Sequence, residues 1–167
     1  MTKSPILRAL RFLEKHDIPY ERHDHPAVFS VEDVSKTVSI EKGARTKNLF
    51  VRDKKGRRHL LIVAPFDRTL DLMKLGVHTG LGRLSFASPE RLLKYLGVEP
   101  GSVTLLGVIN DPNQCVEVVI DSSIWEADYV RCHPLINTST LVIDQNGLRA
   151  IFAATGHKPT IMRVPSQ

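Results

Sequence analysis

Lys47 and Asn48 stand directly before an apolar run, Leu49-Phe50-Val51, and are the adjacent pair in this chain best suited to chemistry. The turn-like stretch Lys54-Lys55-Gly56-Arg57 separates that run from a second one, Leu60-Leu61-Ile62-Val63. The pattern predicts a β-hairpin with Lys47 at its mouth. An ammonium and an amide placed there can meet an anion or polarise a carbonyl. A lysine at a strand end is more often simply solvated, so the pair alone decides nothing.

Other polar residues cluster at expected turns. Pro100-Gly101-Ser102-Val103-Thr104 reads as a tight turn whose backbone N–H groups can point into a cleft. Ile109-Asn110-Asp111-Pro112 reads as a turn between strands. His133-Pro134-Leu135-Ile136-Asn137-Thr138 puts an imidazole and an amide close together, and Gly156-His157-Lys158-Pro159 joins the last helix to the last strand. Turns favour Gly, Pro, Asn and Asp whatever their function. His23 and His25 are two apart, which on a strand puts both on one face, but no third ligand stands near enough for zinc. Asp67 and Asp71 have helical spacing and read as charges at a helix N-terminus. The chain has no glycine-rich phosphate loop, dinucleotide fingerprint or Gly-x-Ser-x-Gly elbow.

The 167 residues suffice for one domain with a real core. Hydrophobic residues make up 42% and charged residues 25%, the balance of a globular chain, and no apolar run nears the ~20 residues of a membrane helix. The N-terminus runs straight into an amphipathic pattern without a signal-peptide core, and cytoplasm is the expected location. Cys115 and Cys132 lack metal-site spacing and read as small core residues. A net charge of +5, with Lys42, Arg45, Lys47, Arg52, Lys54, Lys55, Arg57 and Arg58 gathered locally, suits a polyanion such as tRNA. Aromatic residues are only 6%, without the stripe that stacks long single strands.

These residues need elements to position them. Ser4-Pro5 predicts a helix to about His16, with Ile18 to Arg22 extended after it. Ser30 is expected to cap a helix over 31–38. Thr69 is expected to cap a short helix, Leu70 to Leu75, followed by a loop marked by Gly76, Gly80 and Gly82. Strands are expected at Arg83 to Ala87, Val103 to Ile109, Val116 to Ile120, Tyr129 to His133, Thr140 to Ile143 and Ile161 to Val164. Ser88-Pro89 opens a helix that Gly97 stops, and Asp144 or Asn146 opens another that Gly156 stops. Most links between strands are too short for crossover helices. The expected fold is α+β: a single compact domain, residues 1–167, with a mixed, largely antiparallel β-sheet flanked by helices.

Several segments together resemble one family, in order and spacing: His25-Pro26-Ala27-Val28-Phe29, Thr46-Lys47-Asn48-Leu49-Phe50, Gly82-Arg83-Leu84-Ser85-Phe86-Ala87, Pro100-Gly101-Ser102-Val103-Thr104, Ile109-Asn110-Asp111, His133 to Thr138 and Ala154-Thr155-Gly156-His157. The chain resembles the free-standing bacterial aminoacyl-tRNA deacylases related to the editing domain of prolyl-tRNA synthetase (YbaK/ProX-like). Leu84-Ser85-Phe86-Ala87 and His133-Pro134-Leu135-Ile136-Asn137-Thr138 are most similar to the subgroup that clears alanine from tRNA for proline. A sister subgroup acts on the cysteinyl form. One departure is clear: where the family often has Gly-x-x-x-Pro, Gly101 is followed at the fourth place by Leu105.

The resemblance implies hydrolysis of the aminoacyl ester of a mischarged tRNA, most closely alanyl-tRNA(Pro). Cysteinyl-tRNA(Pro) hydrolysis and a non-catalytic tRNA- or synthetase-binding module of the same fold are the alternatives. It implies Lys47 and Asn48 as the catalytic pair, and Gly101, Ser102, His133, Asn137 and Phe29 around the substrate. Arg45 and Arg83 are the expected tRNA contacts. No cofactor or metal is implied. The implied partners are the acceptor end of mischarged tRNA(Pro) and prolyl-tRNA synthetase, with no DNA and no membrane.

Overall fold

A computed structural model describes residues 4–27, 40 and 42–167 of the chain. The expected helix over 31–38 and its cap Ser30, together with Phe29, lie outside the described residues. The element order is α1 (Pro5–Lys15), β1 (Glu21–Asp24), β2 (Thr46–Arg52), β3 (His59–Pro65), α2 (Leu72–Thr79), β4 (Ser85–Phe86), α3 (Pro89–Leu96), a 3-10 helix (Leu105–Asn110), β5 (Val116–Asp121), α4 (Ser122–Trp125), β6 (Tyr129–Cys132), β7 (Ser139–Asp144), α5 (Gln145–Thr155) and β8 (Thr160–Met162). The fold is α+β, and the strands form two sheets. One has the order β1-β7-β6 and is antiparallel. The other has the order β4-β2-β3-β5-β8, antiparallel around β2 and parallel from β3 through β5 to β8.

The hairpin forms where the apolar runs place it. β2 and β3 pair in register from Thr46↔Pro65 to Arg52↔His59, with Lys47 opposite Ala64. Asp53 organises the turn, because its carboxylate accepts the N–H groups of Arg57 (2.8 Å) and Arg58 (3.1 Å) while Gly56 takes a positive φ of 68°. Alternation then sorts the side chains between two cores. Phe50, Leu61 and Val63 enter a large core with α1, α3, the 3-10 helix, α5 and the three-stranded sheet. Val51, Leu60, Ile62 and Ala64 enter a smaller one with Leu70, Leu75 and Val164.

Helix punctuation in the sequence is mostly reproduced. Ser88 accepts the N–H of Arg91 at the start of α3, and Gly97 closes it in the left-handed region. Asp144 caps α5 through the Gly147 N–H at 2.7 Å, and Gly156 ends it. Pro5 opens α1, although Ser4 makes no side-chain cap.

Several expectations shift. The first strand is Glu21–Asp24 rather than residues from Ile18, and β4 shrinks to Ser85–Phe86. Asp71, not Thr69, caps α2, accepting the Lys74 N–H at 3.0 Å. Gly76 is a buried residue inside α2, because the Gly82 carbonyl oxygen lies 1.8 Å from where a Cβ would stand. The apolar stretch from Val103 is no strand. Leu105 to Val108 are all buried in the 3-10 helix, which Thr104 caps through the Leu106 N–H. The four-residue helix α4 went unforeseen; Asp121 caps it by accepting the Ser123 N–H. Cys132 is buried, which pushes its thiol pKa up to about 12, whereas Cys115 is exposed and not a core residue.

Candidate active site

The start of β2 runs beside β6 and so joins the two sheets. Ala44 donates its N–H to the Tyr129 carbonyl at 2.8 Å and accepts the Arg131 N–H at 3.1 Å. The Thr46 hydroxyl donates to the Arg131 carbonyl at 2.8 Å. Lys47 and His133 are the residues one and two places further along these strands, so this seam brings the two expected site residues to one locality. Sequence separation hid that approach.

His133 is held from two sides. Its Nδ1 lies 2.9 Å from the Ser139 carbonyl, and because a carbonyl only accepts, Nδ1 carries the proton. Its own carbonyl accepts the Thr104 hydroxyl at 2.6 Å. Burial lowers the His133 pKa, opposed by the Ser139 bond and assisted by neighbouring His25. The imidazole therefore favours its neutral form, with Nε2 as an acceptor. The His25 ring stands 6.4 Å away, with its Nε2 2.8 Å from the Thr140 hydroxyl. His25 thus braces this corner through Thr140.

Lys47 and Asn48 are neighbours on a strand, so their side chains leave opposite faces of the sheet. Lys47 shares the face of Leu49 and Val51; Asn48 shares that of Phe50. Partial burial draws the Lys47 pKa below the ordinary lysine value, and the carboxylate of Asp67 acts in the opposite sense. Of the two acidic residues at helical spacing, only Asp71 serves a helix; Asp67 faces Lys47. The Asn48 side-chain oxygen is buried and has no hydrogen-bond partner among the described residues. A buried acceptor left unpaired costs about 1–3 kcal/mol, so this position calls for a donor.

Gly101 occupies a position that demands glycine. Pro100 and Gly101 form the centre of a turn closed by the Ser102 N–H to the Glu99 carbonyl at 3.0 Å, and Gly101 has φ 87°. Glu99, Ser102 and Asn137 line a groove of about 550 Å³ with Arg8 of α1, Leu93 of α3 and Leu135 to Thr138. The expected substrate residues therefore fall into two neighbouring places. Ser102 and Asn137 line the groove, and Lys47, Asn48 and His133 stand at the seam. Thr104 connects them, since it follows the Gly101 turn and bonds the His133 carbonyl. Leu105 lines neither place, because it is fully buried in the large core.

Arg45 and Arg83 are not brought together. Arg45 precedes β2, whereas Arg83 lies two residues before Ser85, which pairs with Arg52 at the other end of β2. The Arg45 guanidinium sits 4.4 Å over the Phe66 ring. Of the hairpin's basic residues, Arg58 is spoken for by Glu117, at 2.6 and 3.0 Å. Thr104 belongs to the family-like segment Pro100 to Thr104, its only signal in the sequence, whereas Arg131 stands in no such segment.

Comparison with known proteins adds to this geometry. A family model described as an aminoacyl-tRNA editing domain matches residues 25–151. The chain is 39% identical to the prolyl-tRNA editing protein ProX of Acetoanaerobium sticklandii, over 87% of this chain and 88% of that one. It is 35% identical to prolyl-tRNA synthetase associated domain-containing protein 1 of Danio rerio, over 90% and 83% of the two chains. A crystal structure described as that of a candidate trans-editing enzyme for prolyl tRNA synthetase superposes with a TM-score of 0.71 at 21% identity, covering 99% of this chain and 100% of that one.

Proposed function

The chain belongs to the aminoacyl-tRNA editing domain family, a family of aminoacyl-tRNA deacylases, and we propose that it hydrolyses mischarged tRNA(Pro) in trans, with alanyl-tRNA(Pro) as its main substrate. The whole chain acts as one editing domain in the cytoplasm. The observation that supports this reading is the seam itself: Thr46 of β2, one residue before partly buried Lys47, bonds the carbonyl of Arg131 of β6, two residues before His133, whose Nδ1 is fixed on the Ser139 carbonyl. Among the described residues no helix is long and apolar enough to cross a membrane.

Water adds to the ester carbonyl, the acyl C–O bond breaks, and the ribose oxygen leaves with a proton. An aminoacyl ester is labile, so holding the ester and water in register supplies much of the acceleration. The Lys47 ammonium stabilises charge developing on the carbonyl oxygen or anchors the terminal nucleotide. Asn48, whose side chain leaves the opposite face of β2, orients the strand end that presents Lys47. His133 shapes the pocket, with Nε2 as an acceptor. The vicinal ribose hydroxyl helps to activate the water. Gly101, Ser102, Asn137 and Phe29 complete the surroundings of the aminoacyl group, and Arg45 and Arg83 contact the tRNA.

Selectivity rests on volume. A pocket sized for alanine excludes the proline ring by a clash, which costs more than the ~1–3 kcal/mol of one missing methylene contact. The test is ester loss from alanyl-, cysteinyl- and prolyl-tRNA(Pro) in parallel. Fast alanyl release with prolyl-tRNA spared is expected. Equal rates for the alanyl and prolyl forms would sink the size sieve, and faster cysteinyl release would move the protein to the sister specificity.

Binding of tRNA is expected to weaken by roughly tenfold or more between about 50 and 200 mM salt, because phosphate neutralisation releases counterions. Filter-binding or anisotropy titrations measure this. A flat salt profile would remove the basic face from the interface.

A further inference from the structure

Arg131 of β6 lies across Gly43, whose φ is 99° and where a Cβ would stand 3.1 Å from the Arg131 Cγ. Its guanidinium donates from Nε to the Lys42 carbonyl at 3.1 Å and from Nη2 to the Ile40 carbonyl. Those bonds fix the guanidinium but supply no negative charge. Arg45, laid over Phe66, faces the same pocket of about 340 Å³, which Gly43 and Asp67 also line. Burial and the nearness of Arg45 both lower the Arg131 pKa, as expected for two cations converging on one space. Among the described residues neither guanidinium forms a salt bridge. Among the described residues Asp67 is the one acidic residue in the lining, and its charge also acts on Lys47.

The pocket has a fixed relation to the reactive seam. Arg45 is two residues before Lys47, and Arg131 two before His133. Residues at i and i+2 on extended chain share a face about 6–7 Å apart. The Phe66 N–H to the Arg45 carbonyl, at 3.0 Å, shows that the β2–β3 ladder already includes Arg45. On a terminal nucleotide esterified at its ribose, the anion nearest the ester is the phosphodiester on that same ribose.

We propose that Arg45 and Arg131 form a clamp for the phosphodiester on the 5′ side of the terminal, aminoacylated ribose, so that gripping the RNA sets the ester against Lys47. Arg131 is a pre-fixed wall, and Arg45 closes on the anion from the exposed side. The inference rests on the deacylase reading above and specifies which part of the RNA is held, and where.

The test compares two esters, alanyl-tRNA(Pro) and alanyl-adenosine, which lacks any phosphate. Arg45→Gln is the principal variant, because Arg45 is exposed and its loss opens no core cavity. Arg131→Gln is the second variant, read only if its circular dichroism matches wild type. Expected is a fall in kcat/KM for alanyl-tRNA(Pro) at least tenfold greater than for alanyl-adenosine, carried mainly by KM. The salt dependence of tRNA binding should lose about one phosphate's worth of slope. Equal losses on both esters, or no loss on either, would overturn the clamp. Equal losses accompanied by sensitivity to added inorganic phosphate would mark a free-phosphate pocket and overturn it too. If the wild-type protein cleaved neither ester, the deacylase reading itself would fall, a result distinct from these.

Discussion

Replacing Lys47 by Ala is expected to lower deacylation at least about a hundredfold while the fold persists. The magnitude follows from what a pre-placed donor contributes to a developing oxyanion, about 10²–10³ in rate. The fold should persist because Lys47 stands at the first turn-out of β2 and is only partly buried, so its truncation opens no cavity in either core. The carboxylate it leaves behind, Asp67, is exposed and stays solvated. Turnover and circular dichroism should be measured on one preparation. A folded variant that turns over near the wild-type rate would remove Lys47 from the chemistry.

Asp111→Ala should act on the other axis, costing about 3–5 kcal/mol of stability and moving the thermal midpoint by about 10 °C. The Asp111 carboxylate is buried and accepts three hydrogen bonds: the N–H groups of Cys115 (3.0 Å) and Val116 (2.8 Å), and Nε2 of His157 (2.8 Å). His157 is itself buried, and its Nδ1 lies 2.8 Å from the Thr155 hydroxyl. This lock ties the end of the 3-10 helix to the start of β5 and to the residues that follow α5. Removing the carboxylate leaves three donors unpaired, those of Val116 and His157 away from water, and an unpaired buried group costs more than its hydrogen bond contributed. Urea unfolding of wild type, Asp111→Ala, His157→Ala and the double variant should show strong coupling between the two positions. Additive, sub-kilocalorie effects would contradict the lock.

How far the sequence reveals this molecule depends on whether the deciding interaction is local. Ser88-Pro89 and Gly97 bracket α3 because caps act within one turn of chain. The hairpin follows from two apolar runs and Gly56, which accepts a positive φ. The stretch from Val103 to Ile109 misleads because Leu105, Leu106, Gly107 and Val108 are buried on every side. Such a run carries no period, and β-branched residues then argue for a strand. Gly76 misleads for the opposite reason: its lack of a Cβ answers the distant Gly82 carbonyl, not a turn of its own. The seam between Thr46 and Arg131, and the Asp111–His157 lock, join residues far apart in sequence. Lys47, His133 and Asp111 were visible as types in suggestive segments, but their partners were not. Leu105 shows the same limit: the Gly-x-x-x-Pro pattern marks it only as a departure, and its full burial makes it a core residue. Leu105→Pro is therefore a packing change before it is a selectivity change.

The central claim is catalytic turnover on a mischarged tRNA, and the direct measurement is release of labelled alanine from alanyl-tRNA(Pro) with the protein at a small fraction of the substrate concentration. Many alanines should be released per protein molecule, at a rate far above spontaneous hydrolysis in the same buffer. Retention of the ester at the buffer rate, while the protein binds the same tRNA, would contradict it and leave a binding module with an editing-domain fold.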